Sequence, residues 1–277
     1  MTGRVEGKVA FITGAARGQG RSHALRLAEE GADIIAIDLC GSVPTIEYPL
    51  GTEDDLAETA ALVEKLDRRV VTAQADVRDF ESLKTALDRG VAELGHVDIV
   101  CANAGVLSMG AAHEQSEEQW QQMIDVNLTG VWHTAKAAIP HMIEQGTGGS
   151  LILTSSLMGL KGASWTIGYV AAKFGVVGIG RALAHELAPY KIRSNVLHPT
   201  NIQTPMLDNE HVLTSFRQDL ESPTFSDMND TLSAMNIWPM PTVEVSDISN
   251  AVLWLASDEA RYVTGISLPV DLGASAK

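Results

Sequence analysis

Short runs rich in β-branched and apolar residues alternate along this chain with longer stretches of helical period, and that alternation restricts the fold more than any other feature. The runs are Val9–Thr13, Ile34–Asp38, Val70–Ala75, Val97–Cys101, Leu151–Thr154, Arg193–Leu197 and Ile266–Val270. The helical patterns lie around 19–30, 53–68, 79–94, 116–143, 166–188 and 247–257. Nearly continuous apolar strands separated by helices belong to a parallel sheet covered on both sides. The expectation is therefore an α/β chain with a doubly wound parallel sheet and helices on both faces. Capping chemistry marks two helix starts: Thr52 with Asp55, and Ser116 with Gln119, pair a side-chain acceptor with a partner three residues on. No repeat or low-complexity linker divides the chain. Residues 1–277 read as one domain with two insertions, Cys40–Gly51 and Pro205–Pro241.

Composition removes several function classes. The formal charge of −15 leaves no basic stripe, so neither nucleic acid nor an anionic membrane is expected as a partner. The N-terminal segment enters the first strand without an apolar signal region, and no apolar run is expected to approach the eighteen or so residues of a span; a cytoplasmic protein is expected. Cys40 and Cys101 stand far apart, and the 8 histidines lack ligand spacing. No disulfide framework or metal site is anticipated.

The first strand runs into Thr13-Gly14-Ala15-Ala16-Arg17-Gly18-Gln19-Gly20 and then into a helix. Glycines at such a turn let backbone approach a pyrophosphate, while the helix N-terminus offers amide donors and a positive dipole end. A tight structural turn is the competing explanation. Asp38 favours the nucleotide, because an acidic side chain closing the second strand can accept from an adenosine ribose and repels a 2′-phosphate. With Leu39 and Cys40 following it, NAD is expected over NADP. Arg17, in the same loop, could instead receive that phosphate.

Tyr169 and Lys173 lie four residues apart, and Ser156 precedes the tyrosine by thirteen. The apolar positions Ile167, Val170, Ala171, Phe174 and Val177 predict a helix there, which stacks Lys173 beside the phenol. A nearby ammonium stabilises phenolate and draws a group that titrates near 10 in water towards working pH, which suits proton exchange with an alcohol/ketone pair. The plain alternative is a surface tyrosine covered by a lysine stem.

Taken in order, Thr13-Gly14-x3-Gly18-x-Gly20, Asp76-Val77, Asn103-Ala104-Gly105, Val126-Asn127-Leu128, Ser156, Tyr169-x3-Lys173 and Pro199 with Thr204 resemble the short-chain dehydrogenase/reductase family over essentially the whole chain. The resemblance implies a Rossmann-type fold and a catalytic set in which Ser156 holds the substrate oxygen and Tyr169 moves its proton. Lys173 would lower the tyrosine pKa and bond the nicotinamide ribose, and Asn127 would support a water relay. It also implies a cofactor set of Gly14, Arg17, Gly18, Gln19, Gly20, Asp38, Leu39, Asp76, Val77, Asn103, Ala104, Gly105, Tyr169, Lys173, Pro199, Ile202 and Thr204. Within it Asp76 and Val77 would hold adenine, and Ile202 and Thr204 the carboxamide. A homotetramer is implied, with helices near 116–143 and 166–188 at one interface. Pro199-Thr200 departs from the usual Pro-Gly.

Two details resemble the mycofactocin-coupled, carveol-dehydrogenase-like branch: Gln19-Gly20-Arg21 in the loop, and the long span from Asp38 to Asp76. In that branch the insertion goes with NAD that stays bound and is reoxidised by a separate redox carrier. Residues 40–51, stiffened by Pro44 and Pro49, read as a lid, with a surface loop as the alternative. In the second insertion, Met206, Leu207, Val212, Leu213, Phe216, Trp238 and Met240 offer either a cover for a neutral hydrophobic alcohol or packing against the domain or another subunit.

Overall fold

A computed structural model describes residues 3–277. Seven strands form a single parallel sheet: β1 Val9–Thr13, β2 Asp33–Asp38, β3 Val70–Gln74, β4 Ile99–Ala102, β5 Gly149–Thr154, β6 Ile192–Pro199 and β7 Ser267–Val270. Their order is β3-β2-β1-β4-β5-β6-β7. In β1, Val9 and Phe11 face one apolar layer while Ala10 and Ile12 face the other. All four side chains are buried, as a strand covered on both faces requires. The expected doubly wound sheet is therefore present.

Helices α1 Gly18–Glu29, α2 Glu53–Glu64 and α9 Val245–Ala256 supply one layer; α3 Phe80–Leu94, α5 Gly130–Gln145 and α6 Ile167–Glu186 supply the other, joined by α4 Glu117–Ile124. Both anticipated capping boxes are formed, with Thr52 accepting from Asp55 N–H and Ser116 from Gln119 N–H. The continuous helix expected over 116–143 is instead broken: Asp125–Thr129 widens into a π turn between α4 and α5. Hydrophobic period cannot foresee such a turn, which is set by which carbonyls a buried side chain takes; such bulges gather at functional sites. The second insertion folds into two short helices, α7 Glu210–Phe216 and α8 Asn229–Ala234.

The expectation that no apolar run approaches membrane length needs correction. Helix α6 is 20 residues long with a mean hydropathy of 1.3 over its most apolar window, yet half of that window is buried inside the fold. It packs on β6, α4 and the π turn.

The chain leaves β1 in one lateral direction and enters β4 in the other. Their carboxyl ends therefore splay a crevice, the place where open α/β sheets take ligands.

Candidate active site

Two cavities meet in that crevice. The first runs along the ends of β1, β2 and β4, lined by Gly14, Arg17, Gly18, Gln19, Gly20, Asp38, Leu39, Asp76, Val77 and Asn103–Val106. The second, about 470 Å³, holds Ser156, Tyr169 and Lys173 together with Pro199, Thr200, Asn201 and Ile202. Gln19, Asn103, Gly105, Thr204 and Met206 line both. Every residue expected to contact cofactor thus lies on one continuous cleft, and Asn127 stands just behind it.

The loop before α1 is shaped by its own packing. Gly14 has φ +70, and a Cβ there would meet the Ala104 Cα at 2.9 Å. A Cβ on Gly20 would be driven into the Gly14 carbonyl oxygen. These two glycines fit helix to strand, leaving the turn free to present its amides. No side chain caps the α1 N-terminus and its first turn carries no acid, so its amides and positive dipole end face the cleft. The buried Oε1 of Gln19, Oγ1 of Thr200 and Nδ2 of Asn201 have no partner among the described residues. A cradle of free amides at one end and unpaired polar atoms at the other fits a dinucleotide carrying a carboxamide.

Three side chains do more structural work than the sequence implied. Asp38 accepts from Ala16 N–H at 3.0 Å and Cys40 N–H at 3.2 Å, so it holds the loop as well as facing the cleft. Arg17 donates to the Pro49 carbonyl, tying the first insertion down. The Asp76 carboxylate pairs with Arg78 at 2.6 Å, which places the Arg78 guanidinium, absent from the expected set, in the first cavity.

Among the catalytic candidates, Asn127 is fully buried on the π turn. It donates from Nδ2 to the Val106 carbonyl at 2.9 Å and accepts Val106 N–H at 3.1 Å, clamping the segment after β4 that carries Asn103 and Gly105. A Cβ on Gly105 would lie 2.9 Å from Asn127 Oδ1 and 3.6 Å from Lys173 Nζ, so all three converge. Ser155 donates to the Lys173 carbonyl at 2.8 Å and is spent on α6. Ser156 instead stands beside Tyr169 in the larger cavity, accepts Met158 N–H at 3.1 Å, and has its carbonyl held by His198 Nδ1 at 2.7 Å.

Lys173 Nζ sits 5.4 Å from the Tyr169 ring centroid and donates to the Thr154 carbonyl at 2.9 Å. Burial disfavours both charged forms. It pushes Tyr169 up to about 12, against the opposing pull of the neighbouring Ser156 hydroxyl, and Lys173 down to about 7. In the protein alone, desolvation outweighs the lowering of the phenol that the four-residue spacing suggested.

The second insertion divides its apolar residues between two tasks. Met206 and Leu207 line the larger cavity. Leu213, Phe225, Met228 and Leu232 form a small core of their own, with Phe216 packed against it, whereas Trp238 and Met240 are exposed. The cavity is completed by Met158, Met235 and two lysines, Lys161 and Lys277, whose ammonium groups rest on backbone carbonyls. Tyr48 of the first insertion also reaches the cleft; nothing in its local sequence marks it beyond being an aromatic between Pro44 and Pro49. Among the described residues, no group of three His, Cys, Asp or Glu is arranged to hold a metal.

The comparisons agree with this geometry. The sequence model of the family described as short chain dehydrogenase matches residues 8–212. The (−)-trans-carveol dehydrogenase of Rhodococcus erythropolis is 54% identical over 275 residues, 99% of each chain. The crystal structure of carveol dehydrogenase from Mycobacterium avium in complex with NAD is 58% identical, covers 100% of both chains and superposes with a TM-score of 0.99. A short-chain dehydrogenase from Mycobacterium paratuberculosis bound to NAD is 44% identical over 99% of this chain and 100% of its own, with a TM-score of 0.91. With the glycine turn, the seven-stranded order and the Ser156–Tyr169–Lys173 cluster in one cleft, the chain belongs to the short-chain dehydrogenase family of oxidoreductases.

Proposed function

We propose that the protein oxidises a neutral, hydrophobic secondary alcohol to its ketone, reversibly, with NAD that stays bound and is reoxidised in place by a separate redox carrier of the mycofactocin type. The observation that carries this reading is the junction of the two cavities at Tyr169 and Lys173. A cleft with the features of a dinucleotide site opens there onto an apolar chamber of about 470 Å³. That chamber contains no arginine, and its lysines are engaged by backbone carbonyls, which suits an uncharged substrate. The names of the carveol dehydrogenase relatives favour a cyclic terpenoid-like alcohol.

In this reading Ser156 positions the substrate oxygen and Tyr169 exchanges its proton. Lys173, in its protonated form, stabilises phenolate beside it, and Asn127 fixes the β4 end that forms the floor of the site. NAD, when bound, supplies the hydride acceptor. The preference for NAD rests on Asp38 at the end of β2, and on Arg17 being tied to the Pro49 carbonyl rather than free for a 2′-phosphate. The insertion 40–51 is the retaining lid: it is fixed by Arg17, by burial of Val43 and Tyr48, and by a 2.5 Å pair between Glu47 and His211 of the substrate cover. We further propose a cytoplasmic homotetramer, its assembly supported by the exposed Trp120, Trp132, Ile167 and Phe174 of α4, α5 and α6.

The test is nucleotide retention. Purified protein, dialysed and then denatured, should release NAD. With alcohol and added free NAD it should form little NADH, while an artificial electron acceptor restores repeated turnover, because a lid that must open slows cofactor release. Sustained production of free NADH without a carrier would make it an ordinary exchanging dehydrogenase.

A further inference from the structure

The first insertion starts and ends at the same point. Cys40 N–H donates to Asp38 at 3.2 Å, and a Cβ on Gly51 would lie 3.3 Å from the Asp38 Oδ1, so both ends of the strap stand over the end of β2. Between them the chain reaches much further. Tyr48 Oη accepts Leu107 N–H at 2.9 Å, and Leu107 adjoins Val106, which Asn127 clamps beyond the end of β4. Strands β2 and β4 flank β1 on opposite sides. Neighbouring strands are about 4.8 Å apart, so the strap spans roughly 10 Å across the end of β1, directly over the Gly14–Gly20 turn. A lid confined to the adenosine half would have no reason to extend to β4.

Tyr48 is the residue that makes the crossing. It is buried between the exposed Glu47 and Pro49, and it lines the dinucleotide cleft together with Gly105 and Val106. Its oxygen accepts from the Leu107 amide, and among the described residues no acceptor takes its proton. Burial, with the neighbouring Tyr169 acting in the same direction, keeps the phenol well above its ordinary pKa and therefore protonated. A buried hydroxyl whose acceptor side is fixed has one remaining use for its hydrogen, and the cleft is what it faces.

We infer that Tyr48 is a cofactor-contacting residue: its hydroxyl donates to an oxygen on the nicotinamide side of the dinucleotide, phosphate or ribose, so that the strap grips the reactive half of NAD as well as closing over the adenosine half. The inference rests on the retained-NAD reading above and deepens it.

The test uses Tyr48→Phe, which keeps the ring and removes the proton. Dissociation of bound NADH, followed by its fluorescence in a chase with excess NAD, should be faster by roughly three- to tenfold, the scale of one hydrogen bond. Affinity for AMP, which lacks the nicotinamide half, should be unchanged. An unchanged NADH rate, or equal weakening of AMP and NADH, would overturn the contact. A second variant lacking residues 42–50 separates the two claims. If it releases NADH while Tyr48→Phe does not, the lid stands and the phenol contact falls. If it retains NADH like the wild type, the lid itself falls, and the Tyr48 contact with it.

Discussion

Tyr169 and Lys173 are ionisable groups that burial holds towards their neutral forms, at about 12 and about 7. Near pH 7 the phenol keeps its proton, and Lys173 is poised between charged and neutral. Tyr169→Phe should retain the fold, the melting temperature and bound nucleotide while kcat falls on the order of 10²–10⁴-fold, because only the exchangeable proton is lost. A folded variant keeping most of its kcat would show that another group moves the proton. The residues of this cluster were legible because chemistry fixes both their type and their spacing. The Ser155 hydroxyl is spent on the α6 backbone, which leaves Ser156 as the neighbouring serine free for the cleft. Burial was not legible from spacing: four residues of helix bring an amine to a phenol, but only the surrounding packing decides which form each group adopts. Tyr48 and Arg78 escaped for a related reason. A single side chain in a loop has no periodicity, and its reach across β1 depends on a path that only the folded chain defines.

At the scale of elements, the packing of α1 on α9 buries one ionisable group against a hydroxyl. His23 Nδ1 lies 2.8 Å from Ser249 Oγ with its ring wholly buried, and desolvation lowers its pKa from 6.5 to about 3. The unfolded chain therefore binds one more proton than the native state between these values. Stability from this site is complete above pH 6.5 and is lost as the pH falls towards 3, by an amount on the order of a few kcal/mol. His23→Asn can keep the bond to Ser249 without titrating, so its melting temperature should fall less steeply than that of the wild type across this window. Parallel curves would mean that other groups control acid unfolding. The helices and strands themselves were readable from period, and two of their starts from capping pairs. The π turn at Asp125–Thr129 was not, since the same apolar spacing serves a continuous helix; what distinguishes them is Asn127 inserting its amide between Val106 and Met123.

For the whole molecule, a formal charge of −15 makes copies repel one another, so any assembly must be driven by apolar area strong enough to overcome that field. Ile167 and Phe174 are seven residues apart on α6, hence on one helix face, and both are exposed while the opposite side of the helix carries Tyr169 and Lys173 into the cleft. Trp132 on α5 is likewise exposed, stacked on the Lys136 ammonium at 4.7 Å. A helix with its catalytic side in the active site and an apolar side left to solvent would be braced by a second copy of the chain. The proposed tetramer thus makes a prediction about catalysis as well as mass. Phe174→Asp, which adds charge of the sign already in excess, should lower the mass measured by light scattering. It should also reduce kcat several-fold by loosening α6 while leaving NAD bound, because the Gly14–Gly20 turn is held by its own packing on Ala104 and not by α6. Wild-type protein that is monomeric at assay concentration, or a dissociated variant with full kcat, would show that α6 is held in place by its own packing on β6 and α4.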